Sequence, residues 1–161
     1  MLGKQVKNIV ADSFEECLSL RDISVKSGNP YFNTKYGCLY HRKKKILYFQ
    51  YQDASSALIA KDTRKIAPFA FNHHQKLKNI KIPISVTEIG GAFYQCENLR
   101  KVTFQKGSKC KALKTYSPWC EYLDYGCFEK CKSLQEIQMP DHLQNIASQC
   151  FFGCTSLGNI R

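Results

Sequence analysis

Ile89-Gly-Gly-Ala-Phe93-Tyr-Gln-Cys96-Glu-Asn-Leu99-Arg-Lys-Val102-Thr-Phe104 is the stretch from which the architecture follows. A small residue precedes Phe93. Cys96, Leu99 and Val102 then follow at intervals of three, and Val102 and Phe104 alternate with polar residues. The pattern recurs in four other places. From Ile9 it reads Phe14, Cys17, Leu20, Ile23; from Ile66 it reads Phe71, His74, Leu77, Ile80. From Leu123 it reads Phe128, Cys131, Leu134, Ile137, and from Ile146 it reads Phe151, Cys154, Leu157, Ile160. The copy at Ile89 is one residue short before its phenylalanine.

A unit this small cannot bury its own apolar side, so copies must stack. Stacking predicts each Phe on the next Phe and each Leu on the next Leu. The alternating end of the unit predicts a short strand with one buried face. Pro83 and Pro140 end such strands because they offer no amide donor. The Phe-x-x-Cys-x-x-Leu part has helix-like spacing and predicts a turn or short helix on the outer side. The expected fold class is therefore an α/β repeat solenoid. Short parallel strands form its concave side, and turns or short helices form its convex side. A single domain over 1–161 is expected, with repeats near 9–25, 66–83, 89–104, 123–140 and 146–161. A hairpin insertion at 30–60 and a basic loop insertion at 105–122 interrupt it.

Phe71 and Phe93 are 22 residues apart, and Phe128 and Phe151 are 23 apart, within the leucine-rich-repeat range. The run Ile82-Pro-Ile-Ser-Val-Thr-Glu-Ile-Gly-Gly-Ala-Phe-Tyr-Gln-Cys-Glu-Asn-Leu99 resembles the BspA-like leucine-rich repeats of bacterial and protist surface proteins. Asn29-Pro-Tyr-Phe, Tyr36-Gly-Cys-Leu-Tyr and Ile46-Leu-Tyr-Phe resemble the hairpin-bearing longer repeat of that family. A basic tip, His41-Arg-Lys-Lys-Lys45, stands where Asp or Gly would ordinarily turn the chain. The resemblance implies a non-catalytic binding module, and its bacterial members imply adhesin-like binding of host matrix proteins.

The chain has 161 residues, 43% of them hydrophobic and 23% charged, which excludes a disordered polar chain. No apolar run reaches the roughly 18 residues of a membrane-spanning helix. The first residues have no apolar stretch of signal-peptide length. That start, together with an odd count of nine cysteines, points to a reducing compartment, while the resemblance points to the cell surface. The net charge of +11 and pI of about 9.3 suit an anionic partner. The last copy stops at Arg161 with its strand barely begun. A fragment of a longer array, or end-to-end self-association, would supply the missing cap.

Alternation places Asp22, Ser24, Asn79, Lys81, Lys101, Thr103, Glu136, Gln138, Asn159 and Arg161 outward on the strands. Lys81, Lys101, Thr103, Glu136 and Gln138 are the expected contacts for a protein partner. The alternative is a polyanion binder, nucleic acid or anionic glycan, using two basic patches. These are Arg42, Lys43, Lys44 and Lys45 in the hairpin, and Lys106, Lys109, Lys111 and Lys114 near the aromatic run at Trp119. Cys127, Cys131, Cys150 and Cys154 invite a zinc reading. Their positions in the repeat explain them as stacked small thiols instead, and no cofactor or metal is expected. Cys38, Cys110 and Cys120 fall outside the repeat columns and are the candidates for exposed thiols. No phosphate loop, H-E-x-x-H or G-x-S-x-G is present, and the four histidines lack partners at motif spacing, so no enzyme is expected.

Overall fold

The computed structural model describes residues 1–10, 12–51, 54–116 and 124–161. The strands are β1 (Phe32–Lys35), β2 (Cys38–His41), β3 (Ile46–Gln50), β4 (Ser56–Ala57), β5 (Lys65–Ile66) and β6 (Asn79–Ile82). Then come β7 (Glu88–Ile89), β8 (Lys101–Phe104), β9 (Ala112–Leu113), β10 (Glu136–Gln138), β11 (Asn145–Ile146) and β12 (Asn159–Ile160). They form a seven-stranded sheet in the order β1-β2-β3-β5-β7-β9-β11 and a five-stranded sheet in the order β12-β10-β8-β6-β4. From β3 onward every pairing is parallel, and consecutive strands alternate between the sheets. The chain therefore winds as a β-solenoid of about five coils.

The Phe turn makes a third side with its own ladder. Phe71 N–H donates to the Ala92 carbonyl, Phe93 N–H to Cys127 and Phe128 N–H to Cys150, at 2.8, 2.9 and 2.8 Å. The rings follow the ladder. Phe71–Phe93, Phe93–Phe128 and Phe128–Phe151 stack with centroids 4.9, 5.2 and 5.6 Å apart and planes within 12°. Phe71, Phe93 and Phe128 are fully buried. Each contributes about 2–3 kcal/mol by burial, and each stacked pair about 0.5–1.5 kcal/mol more.

The turns are not helices, and the α/β expectation is corrected: among the described residues there is none. The second residue after each Phe explains it. Glu16, His73, Gln95, Lys130 and Gly153 all have φ between 55° and 75°, in the left-handed region. A left-handed residue there ends the right-handed winding and leaves only tight turn bonds, such as Cys96 N–H to Phe93 O and Leu99 N–H to Cys96 O.

The column also departs from expectation at its start. Phe14 stacks on Phe49, centroids 5.0 Å apart, and not on Phe71. Gln50 N–H donates to the Ala70 carbonyl, so Gln50 takes the rung that a Phe holds in later coils. Phe49, one residue earlier, points to the other side and joins Ile23, Phe32, Leu39 and Tyr51 in a second core. The hairpin strand β3 is thus the first rung of the solenoid as well as an arm of the β1–β2–β3 antiparallel meander. The 105–122 stretch is also more than a loop, since Ala112–Leu113 is the strand joining β7 to β11.

Coils approach closely where the backbone has no side chain. A Cβ added at Gly126 would overlap the Gln149 carbonyl oxygen, and one at Gly91 would lie 2.5 Å from the Tyr125 carbonyl oxygen.

Replacing Phe93 by Ala in the middle of the column should lower unfolding free energy by about 3–5 kcal/mol, read by urea denaturation. Gln95→Gly should do the opposite and raise it by about 0.5–1 kcal/mol, because glycine relieves the left-handed penalty.

Candidate protein-recognition face

The five-stranded sheet presents its outward residues in straight cross-strand rows. Parallel register aligns Asn79, Lys101, Glu136 and Asn159 in one row, and Lys81, Thr103 and Gln138 in the next. The residues between them, Ile80, Val102 and Ile137, are buried in the core. This alternation fixes which side chains face out. All five residues expected from sequence as protein contacts, Lys81, Lys101, Thr103, Glu136 and Gln138, therefore lie on one face.

The face is electrically mixed. Lys101 Nζ is 3.4 Å from Glu136 Oε2, and Arg161 is 3.9 Å from the other carboxylate oxygen. A shallow trough runs beside this pair, lined by Lys78, Asn79, Arg100, Lys101, Gln135, Glu136 and Asn159. Lys78, Arg100 and Gln135 were not among the expected contacts. Each directly follows the repeat leucine, at Leu77, Leu99 and Leu134, and that shared position is the signal that could have found them.

The two basic runs lie on the other sheet. Lys45 precedes β3, and Lys111 and Lys114 flank β9. Lys45 pairs with Asp62 at 2.7 Å. Glu88 lies between Lys65 at 3.4 Å and Lys114 at 2.7 Å. Burial pushes the Glu88 carboxyl up, but Lys114 and Lys65 outweigh it and hold it below its ordinary value. That stabilisation is present at neutral pH and is lost as the pH falls through the folded carboxyl's pKa. Lys106 and Lys109 are exposed in the connection between β8 and β9. Trp119 and Cys120 lie outside the described residues.

The cysteines form a structural column. Cys96, Cys131 and Cys154 donate from sulfur to the carbonyls of Phe71, Phe93 and Phe128, at 2.8, 3.2 and 3.0 Å. His74 occupies the same slot, its Nε2 2.8 Å from the Gln50 carbonyl. The slot calls for a compact donor to the preceding coil, which explains why Cys and His interchange there. Burial pushes Cys96 up to about 12 and Cys154 up to about 11. Cys127, beside the Cys150 thiol, is raised well above its ordinary value, first by burial. All eight described cysteines are free thiols. Among the described residues no group of three or more His, Cys, Asp or Glu is placed to hold a metal ion.

The expectation for exposed thiols is corrected. Cys38 and Cys110 are fully buried, and burial pushes them up to about 12 and about 11. Both sit on or beside strands of the seven-stranded sheet with their side chains inward, positions that the repeat columns do not mark. Cys17 is exposed instead, in the first copy, which stacks on the hairpin and not on the main column.

Two sheets whose coil strands pair in parallel, a stacked Phe side and outward polar rows define a leucine-rich-repeat solenoid. The chain belongs to the BspA type leucine-rich-repeat family, whose model matches in six copies over residues 1–110 and 44–161. Leucine-rich-repeat families of this kind are generally non-catalytic and serve in protein interaction or at surfaces. No curated protein sequence matches the chain. Three solved structures share the fold. The pneumococcal vaccine antigen PcpA aligns at 23% identity and a TM-score of 0.81, over 99% of this chain and 37% of that one. A leucine-rich repeat protein from Eubacterium ventriosum aligns at 20% and 0.66, over 99% and 47%. A leucine rich cell surface protein from Faecalibacterium prausnitzii aligns at 24% and 0.61, over 92% and 43%. The chain thus spans less than half the length of each. Among the described residues no helix is long and apolar enough to cross a membrane.

At neutral pH, a brief iodoacetamide pulse on the folded protein should label Cys17 well before Cys38, Cys96, Cys110, Cys127 and Cys131. Peptide mass mapping reads the order, and urea should abolish it.

Proposed function

We propose that this chain is a non-catalytic recognition module whose outward five-stranded face binds a protein partner. The observation that carries the reading is the pair of cross-strand rows, Asn79-Lys101-Glu136-Asn159 and Lys81-Thr103-Gln138, held on strands whose alternate residues are buried. A rigid backbone of this kind binds with little ordering cost. Adjacent positive, negative and neutral polar groups suit a protein surface, which offers both charge signs, better than a uniform polyanion. The adhesin-like role, with matrix proteins as the partner class, rests on membership of the BspA type family, and one protein of the same fold is described as a leucine rich cell surface protein.

The test is solid-phase binding of the chain to purified matrix glycoproteins at physiological salt. Thr103→Trp would block the centre of the face and Lys101→Glu would reverse one charge. Binding to at least one matrix protein, weakened about tenfold or more by either substitution with an unchanged thermal melt, is the expected result. No binding, or binding indifferent to both substitutions, would overturn the reading.

A further inference from the structure

The seven-stranded sheet carries a feature that the protein-binding face does not use. Just before its strands begin, the backbone forms a continuous chain of hydrogen bonds from coil to coil. Arg64 N–H donates to the Lys45 carbonyl at 2.7 Å, Thr87 N–H to Arg64 at 2.8 Å, Lys111 N–H to Thr87 at 2.9 Å and Gln144 N–H to Lys111 at 2.9 Å. Residues 45, 64, 87 and 111 are therefore successive rungs of one edge. At about 4.8 Å per rung, Lys45 and Lys111 lie about 14 Å apart. Two basic runs more than sixty residues apart in sequence become one line. Arg64 and Lys65, which belong to neither run, fill the gap between them.

The acids on this edge are already occupied. Asp62 is bound by Lys45, and Glu88 is held between Lys65 and Lys114. Lys43, Lys44, Arg64 and Lys111 are exposed, and among the described residues none has a carboxylate within ion-pair distance. Charge here is net positive, linear and fixed on a backbone ladder, because Lys43, Lys44, Arg64 and Lys111 remain in excess over the two paired acids, Asp62 and Glu88. A line of cations matches a chain carrying anions at regular intervals. Binders of single-stranded nucleic acid interleave aromatic rings to stack bases. The other rungs of this edge are Thr87 and Gln144, and no aromatic residue stands among them.

We propose that the strand-start edge of the seven-stranded sheet binds a linear sulfated or carboxylated glycan through Lys43, Lys44, Arg64 and Lys111. The contacts are charge pairs with sulfate or carboxylate groups along the polymer, with no base or ring recognition required.

The probe is a size-defined heparin oligosaccharide, with a single-stranded oligothymidylate of similar contour length as the comparison. Binding of each to the full 161-residue chain is measured by fluorescence anisotropy across a salt series. The expected result is heparin binding that weakens steeply with salt and exceeds oligothymidylate binding. Arg64→Gln combined with Lys111→Gln should raise the heparin Kd about tenfold. Lys43→Ser with Lys44→Ser, at the exposed hairpin tip, should do the same without touching a strand. Lys101→Glu on the opposite sheet should change it less than twofold, which separates this edge from the protein-binding face. No heparin binding at low salt, equal Kd in both double variants and the parent, or tighter binding of oligothymidylate would each overturn the proposal.

Discussion

Everything in this molecule is subordinate to the hydrogen bonds that tie each coil to the next. Backbone amides and carbonyls of parallel strands fix the coil spacing near 4.8 Å, and the side chains inside must fit that pitch. Flat aromatic rings fit it well. The phenylalanines stack nearly parallel at 4.9 to 5.6 Å, close to the ladder spacing itself. Gly91 and Gly126 obey the same constraint from the other direction, since at this pitch their backbones meet a carbonyl where any side chain would collide. The thiol column obeys it too, because a sulfur one coil away is within reach of the preceding Phe carbonyl.

This spacing also links fold to recognition. Because register is locked, side chains far apart in sequence are set side by side, and the two sheets acquire different characters. The five-stranded sheet displays polar groups of both signs in two rows. The seven-stranded sheet begins with a line of cations. One scaffold can hold two chemically distinct surfaces without either distorting the other, since the buried residues between them are shared and the outward ones are not.

Much of this was legible in the sequence. The three-residue intervals from Phe to Cys to Leu to Ile gave the repeat, and alternation at Lys101-Val102-Thr103-Phe104 gave the outward face. What was hidden has physical causes. Three-residue spacing fits a helix and a tight turn equally well. The choice was made by a left-handed residue that Glu16, His73, Gln95 and Lys130 do not advertise, and only Gly153 hints at it. Phe14 matches the repeat, yet Gln50 stands in the rung where its neighbour should be, so its ring turned to Phe49. Cys38 and Cys110 lie off the repeat columns but on or beside buried strands of the second sheet, which the Phe-x-x-Cys pattern does not reveal. The line through Lys45, Arg64 and Lys111 depends on pairing across coils, and no local window contains it.

The coil-to-coil ladder has a mechanical consequence. Its hydrogen bonds run along the solenoid axis, so a pull applied between the two ends loads the coils in series and not in parallel. Each coil carries the full tension, and the weakest yields first. A coil that yields releases one repeat of chain and one ring of the Phe stack, so extension proceeds in steps of one repeat while the remaining coils keep their register.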